Sequence, residues 1–315
     1  MIYLSGYSAP GVIATARETD DGLAVQSTVE CAGNPTYLAP SPDGRFLYAL
    51  HELDEGRLSA YAIAADGTLT PLGDVPSGGG SPCHLSVHNG HVLTAHWGTG
   101  ELTVHPVAGD GTLGAPSHVL DTGKASAHWI HPDPTGEWVL AVHLGLGTVT
   151  TYAFADGRLA EHHVATQPYG AGPRHLAFHP DDDRVYVVNE LHSTLTAATF
   201  AGGVVTLGDT VSTLPAGVAM ANHPSAVRVT PDGRFVLVAN RFHDSIAVFT
   251  TDLELLATYP CGDFPRDLVL TTDGRRVYVA NERGGEVVAF SFDDGVPTPF
   301  GRPLPMTGPS CVLPL

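Results

Sequence analysis

Short apolar runs alternate with polar turn signals along the whole chain, and one stretch shows the pattern clearly. Arg174 to His179 alternates into an apolar run, and Pro180-Asp181-Asp182-Asp183-Arg184 reads as a turn. Val185-Tyr186-Val187-Val188 is β-branched and aromatic. A polar break at Leu191-His192-Ser193 precedes a run from Thr194 to Phe200. A Gly202-Gly203 turn then leads into Val204-Val205-Thr206-Leu207. These residues suit pleated strands and the punctuation between them is turn chemistry, so about 45 residues hold four strands. No stretch sustains a helical period.

The four-strand unit recurs. Its marker is a small residue, usually Pro, then one variable residue, then an apolar run. The seven copies are Asn34-Pro35-Thr36, Ser81-Pro82-Cys83, Ser126-Ala127-His128, Gly172-Pro173-Arg174, His223-Pro224-Ser225, Phe264-Pro265-Arg266 and Gly308-Pro309-Ser310. The spacings between variable residues are 47, 45, 46, 51, 41 and 44. A period of this size marks a repeat architecture. Asp66-Gly67, Asp110-Gly111 and Asp156-Gly157 recur as hairpin turns between the outer strands. The expectation is an all-β fold: a seven-bladed β-propeller of four-stranded antiparallel blades, forming a single domain over residues 1–315. A β-helix has a far shorter repeat, and neither a Gly-His to Trp-Asp pattern nor a kelch signature is present. Only one strand can follow Ser310. Ile2-Tyr3-Leu4 and Gly11 to Arg17 would supply the rest of the last blade, so N- and C-terminal strands close the ring and remove sheet edges.

The variable residue opens the innermost strand of each blade. A polar residue after the second strand lies 15 positions later in most copies, at His51, His143, Asn189, Asn240 and Asn281; in the second copy it is His96. The two strands form a hairpin, so these positions meet at one end of the channel. One rim would therefore carry Thr36, Cys83, His128, Arg174, Ser225, Arg266 and Ser310. The second-strand ends, with neighbours Glu52, Glu190, Arg241 and Glu282, complete it. His and Asn at strand ends also suit turn capping. Seven equivalent variable sites holding two Arg and one His are not required by blade scaffolding and point to function.

Charge narrows the partners. The formal net charge is -18, which argues against nucleic acid and anionic membranes. Four scattered cysteines without a CxxC pair suit reduced thiols and a cytoplasmic setting. The chain opens Met1-Ile2-Tyr3-Leu4 with no signal-peptide pattern and no membrane-length apolar run. His51, His96, His128 and His143 come from adjacent blades and could converge, but no short metal-ligand spacing is present. No dinucleotide fingerprint or Walker loop appears either, so no metal or cofactor is expected.

Gly170-Ala171-Gly172-Pro173-Arg174-His175-Leu176-Ala177-Phe178-His179-Pro180, followed by Tyr186-Val187-Val188-Asn189-Glu190-Leu191, resembles the lactonase family of seven-bladed propellers. That family includes cycloisomerase-type 6-phosphogluconolactonases and 3-carboxy-cis,cis-muconate lactonizing enzymes. Pro42-Asp43-Gly44-Arg45-Phe46-Leu47-Tyr48, Pro82-Cys83-His84-Leu85 and Ala239-Asn240-Arg241 carry the likeness through the chain. The resemblance implies an active site of one His, two Arg and one Glu, which by motif fall on His128, Arg174, Arg241 and Glu190. It also implies catalysis without a metal. Three positions depart from the family's habit: Ser126 replaces the first of two His, His143 an Asp, and His96-Trp97-Gly98 the usual Asn-Tyr-Gly.

Lactone opening needs an activated water, stabilisation of the oxyanion, and an anchor for the substrate. Glu190 or His128 would be the base, Arg174 would face the oxyanion or carbonyl, and Arg241 would grip a carboxylate or phosphate. Arg266 would add to that anion site, with Asn189, Asn240, His175 and His143 as further substrate-binding candidates. The leading expectation is a lactone hydrolase acting on a small anionic lactone such as 6-phosphogluconolactone, as a monomer or weak homo-oligomer. The alternatives are a muconate-type cycloisomerase and a non-catalytic binding propeller.

Overall fold

A computed structural model describes residues 1–124 and 126–315. Among these residues all regular structure is strand, and no helix is long and apolar enough to cross a membrane. Blade 1 runs outward from the axis as Pro35–Pro40, Phe46–His51, Arg57–Ile63 and Leu69–Pro76. Blades 2 to 6 repeat that order, their innermost strands opening at Pro82, Ala127, Pro173, His223 and Pro265. Every pairing within a blade is antiparallel, and each innermost strand packs beside those of both neighbours, closing a seven-bladed ring.

Blade 7 is assembled from both ends of the chain. Its innermost strand is Pro309–Pro314, which pairs with Ile2–Gly6 in the register Ile2 to Pro314, Tyr3 to Leu313 and Leu4 to Val312. Gly11–Thr19 and Gly22–Cys31 follow outward. The N-terminal segment thus gives three strands, one beyond the two runs that the apolar pattern marked. The third, Gly22–Cys31, is the outermost; beyond Gly22 its side chains are only partly buried or exposed, so they sustain no apolar run. It also touches blade 6 through one parallel bridge, Arg302 to Gly22, joining blades 6 and 7 into a continuous eight-stranded sheet. Gly22 has φ 116°, and a Cβ there would stand 2.8 Å from the Arg302 carbonyl oxygen, so only glycine permits the approach.

The core lies between blades rather than within one centre. Buried apolar side chains group into seven clusters, each filling one blade–blade interface. Blades 4 and 5, for example, meet through Tyr186, Val188, Leu195, Val227, Val236, Val238 and Phe249. Because a blade buries both faces, its second strand is apolar at consecutive positions, as at Val185 to Val188. Outermost strands face water on one side and mix buried with exposed positions.

A β-bulge explains the variable residue of the repeat. Pro35 pairs with His51 and Tyr37 with Leu50, which leaves Thr36 outside the ladder. Cys83, His128, Arg174, Arg266 and Ser310 stand in the same place. In blade 5 Ser225 and Ala226 together oppose Ala239. A bulge re-aims a side chain without ending the strand. The residue two positions earlier is left-handed in six blades: Asn34, Ser81, Ser126, Gly172, Phe264 and Gly308 have φ between 46° and 80°. Gly and Asn tolerate that backbone and Ser is at least small, whereas Phe264 is a bulky exception.

Candidate active site

The bulged residues form an inner ring at one end of the channel. The residue closing or following each second strand forms an outer one, made of Tyr7, Glu52, Trp97, Leu144, Glu190, Arg241 and Glu282. Between the rings lies a cavity of about 230 Å³ lined by Tyr7, Glu52, Cys83, Trp97, His128, Glu190, Arg241 and Arg266. A void of about 10 Å³ lies deeper, bounded by residues that include Thr36, Tyr37, Arg174, His175, Asp267 and Ser310. A larger cavity of about 670 Å³ opens at the opposite end, among Met1, Pro40, Val87, His131 and Leu313. No Arg, Lys, Asp or Glu lines it, in contrast to the first mouth.

Two ion clusters define that mouth. Glu190 Oε2 lies 2.7 Å from Arg241 Nη2 and 3.2 Å from Arg174 Nε, while its Oε1 lies 3.7 Å from His223 Nδ1. Burial opposes the charge on Glu190, but Arg241 and Arg174 together outweigh it and hold the carboxyl below its usual range. Arg174 is 3 % exposed, donates to the Ser225 carbonyl, and sits 3.3 Å from His175 Nε2. Burial, reinforced by the neighbouring Arg241, lowers its guanidinium to about 9. In the second cluster Arg266 lies 3.2 Å from Glu282, 3.7 Å from Glu52, and donates to the Tyr7 hydroxyl. Tyr7 and Thr36 donate to Glu52 at 2.7 and 3.1 Å. Three arginines are thus matched by three glutamates, and the mouth is formally neutral in a chain of net charge -18.

The imidazoles behave differently. His128 and His175 pack edge to face at 5.4 Å, and His84 stands 5.6 Å beyond His175. Burial, and then nearby cations such as Arg174, push all three well below the ordinary histidine value. They are neutral at pH 7, and Nδ1 of His128 is buried without a hydrogen-bond partner among the described residues. His128 also lines the cavity, and a neutral imidazole there can accept a proton.

The structure brings His128, Glu190, Arg241 and Arg266 to the cavity and sets Arg174 and His175 beneath it. It does not bring His143, Asn189 or Asn240 there. The His143 ring meets the Tyr152 hydroxyl at 3.3 Å, Asn189 donates to Thr194 and Thr196, and Asn240 donates to the Thr213 carbonyl. His51, His96 and Asn281 likewise bond within or between blades, on Ser59, Ser77 and the Cys261 carbonyl. His51, His96 and His143 therefore do not converge with His128. Among the described residues no group of three His, Cys, Asp or Glu could hold a metal ion. Four bulged residues act as stitches to the next blade: Cys83 toward the Ala127 carbonyl, Arg174 to Ser225, Ser225 to Pro265 and Ser310 to Thr36. Sequence reasoning missed Tyr7, whose signal was its place as the seventh outer-ring residue, hidden because its strand precedes the first repeat marker.

A family model described as "Lactonase, 7-bladed beta-propeller" matches residues 1–314. The chain is 37% identical over 284 residues to the 6-phosphogluconolactonase of Bacillus subtilis (strain 168), covering 83% of this chain and 81% of that one. It is 30% identical over 283 residues to the 6-phosphogluconolactonase of Serratia proteamaculans (strain 568), covering 86% and 85%. A solved Lactobacillus plantarum protein superposes with a TM-score of 0.91 at 28% identity, covering 99% of this chain and 98% of that one.

Proposed function

Because the chain belongs to the seven-bladed β-propeller lactonase family, we propose that it hydrolyses a lactone at the channel mouth, with 6-phosphogluconolactone as substrate and 6-phosphogluconate as product. The observation that carries this reading is the meeting of neutral His128, ionised Glu190 and Arg241 around one cavity, with Arg174 directly beneath Glu190. His128 takes a proton from water as the water oxygen attacks the lactone carbonyl. The carbonyl oxygen gains negative charge, and Arg174 and Arg241, held in advance around one carboxylate, stabilise it without having to reorganise. Collapse breaks the bond from the carbonyl carbon to the ring oxygen. The proton on His128 passes to that oxygen, leaving a carboxylic acid and a hydroxyl. Glu52 and Glu282 offer acceptors to sugar hydroxyls, and Arg266, between them, holds both in place. Four unpaired thiols, three of them buried, support a cytoplasmic setting. The small, enclosed mouth needs no second subunit, in keeping with a monomer or weak homo-oligomer.

The test is acid release from freshly prepared 6-phosphogluconolactone, corrected for spontaneous opening. His128→Gln is expected to lower the enzymatic rate by about 10²- to 10⁴-fold, and Glu190→Gln to lower it as well by releasing Arg174 and Arg241. A wild-type rate equal to the uncatalysed background overturns the reading.

A further inference from the structure

The cavity contains no uncommitted cation. Arg174 and Arg241 share Glu190, and Arg266 is shared by Glu52 and Glu282. A dianionic phosphoryl group placed among them would compete with three carboxylates already seated. The cation free to receive it stands on the rim. Arg283 follows Glu282 in the turn after the second strand of blade 6 and is exposed. No carboxylate lies within ion-pair distance of it, and its guanidinium donates no hydrogen bond among the described residues. It lies instead 3.8 Å from the ring centroid of Phe264 and 5.1 Å from that of Phe242. A guanidinium stacked on aromatic faces keeps its in-plane N–H edge open for a bidentate anion.

The platform is built with unusual backbone. Phe264 has φ 61° and Phe242 has φ 73°. Five other blades place Asn, Ser or Gly at the position of Phe264. Bulky residues avoid this conformation, and strained positions of this kind gather at binding sites. Phe264 is held by its amide donating to Asp244 at 2.9 Å and its carbonyl accepting from Glu282 at 3.0 Å. Its ring meets Phe242 edge to face at 5.2 Å and also carries Arg241 at 5.2 Å. One ring therefore links the rim cation to a wall of the cavity.

We infer that Arg283, stacked on Phe242 and Phe264, is the residue that recognises the substrate's phosphoryl group, so that the phosphate lies at the rim over blades 5 and 6 while the lactone ring points inward to His128 and Glu190. This rests on the lactone-hydrolase reading and adds the orientation and the source of specificity. The experiment compares kcat/KM for 6-phosphogluconolactone and unphosphorylated gluconolactone in wild type, Arg283→Gln and Arg283→Lys. Calorimetric binding of 6-phosphogluconate and gluconate is measured in parallel. Arg283→Gln is expected to shrink the preference for the phosphorylated lactone by about ten- to a hundredfold, chiefly through KM, with partial recovery in Arg283→Lys. The binding preference for 6-phosphogluconate should fall in step. An unchanged preference in Arg283→Gln overturns the inference. So does its loss in Lys124→Gln instead, since Lys124, in the connection from blade 2 to blade 3, also has no carboxylate partner among the described residues. A wild type that opens neither lactone defeats the hydrolase reading alone, because the binding arm still decides the role of Arg283.

Discussion

Glu190 balances two guanidiniums that are 3 % and 5 % exposed, so its carboxylate is a structural need before it is a catalytic one. Removing it strands two buried charges, a change that costs about 3–5 kcal/mol in comparable buried pairs. The Glu190→Gln protein is therefore expected to melt earlier as well as to work more slowly. His128 supplies the pH signature. It must be neutral to accept a proton, and burial with Arg174 nearby lowers its pKa. The acid limb of kcat/KM is thus expected below the ordinary histidine value of about 6.5; a limb at or above that value would remove His128 as the base. The four principal residues were legible because the repeat converts position in the chain into position on a ring. His143, Asn189 and Asn240 stay away from the cavity for a simple reason. Successive residues of a strand point to opposite sides, so the strand-end residue turns into the blade while its neighbour turns to the channel. Glu190 and Arg241 reach the mouth on that ground; Asn189 and Asn240 do not.

At the scale of the element, the hairpin that opens each blade couples a left-handed residue, a bulge and the start of the outer ring. In blade 4 the amide of Glu190 donates to the Gly172 carbonyl at 2.7 Å, so one turn sets both the bulge of Arg174 and the height of Glu190. A Cβ on Gly172, at φ 63°, would fall 2.5 Å from Leu191 Cγ. Gly172→Ala is expected to destabilise by about 1–2 kcal/mol from backbone strain alone, and by more if Leu191 cannot yield. It should also lower kcat, because Glu190 moves with the turn. Chemical denaturation paired with turnover checks this, and a stable, fully active variant would contradict it. The strands themselves were readable from apolar runs and turn residues. The bulge was not, since it is a mismatch of count between two strands and leaves no mark in either one alone. Phe264 shows the limit from the other side: a small residue is the expected occupant there, and the exception became meaningful only once its φ was known.

Across the whole molecule, burial of histidine ties stability to pH. His84, His128 and His175 lie well below their ordinary pKa, and burial pushes His96 and His143 to about 4. The unfolded chain takes up these protons near its own value of about 6.5, and the folded chain resists them. Stability is therefore fully present above that value and is lost as pH falls toward the folded values. Each such group removes up to about 1.4 kcal/mol per pH unit in that window. Urea titrations at about pH 7.5 and about pH 5.5 should show a clear drop, with Glu190 adding its loss only below the carboxylate range of about 4.3; equal stabilities would refute the account. Ring closure through both chain ends was visible in the truncated last repeat, whereas the bridge between Arg302 and Gly22 rests on backbone approach and has no side-chain signature. The seven bulges have one more consequence. A bulged residue belongs to no rung of the ladder, so exchanging it need not shift any strand's register. Cys83, Arg174, Ser225 and Ser310 are spent as stitches, but the side chains of Thr36 and His128 are free of that duty. The propeller is thus a socket with interchangeable teeth, and a new ligand preference lies a few single-letter edits away on an unaltered frame.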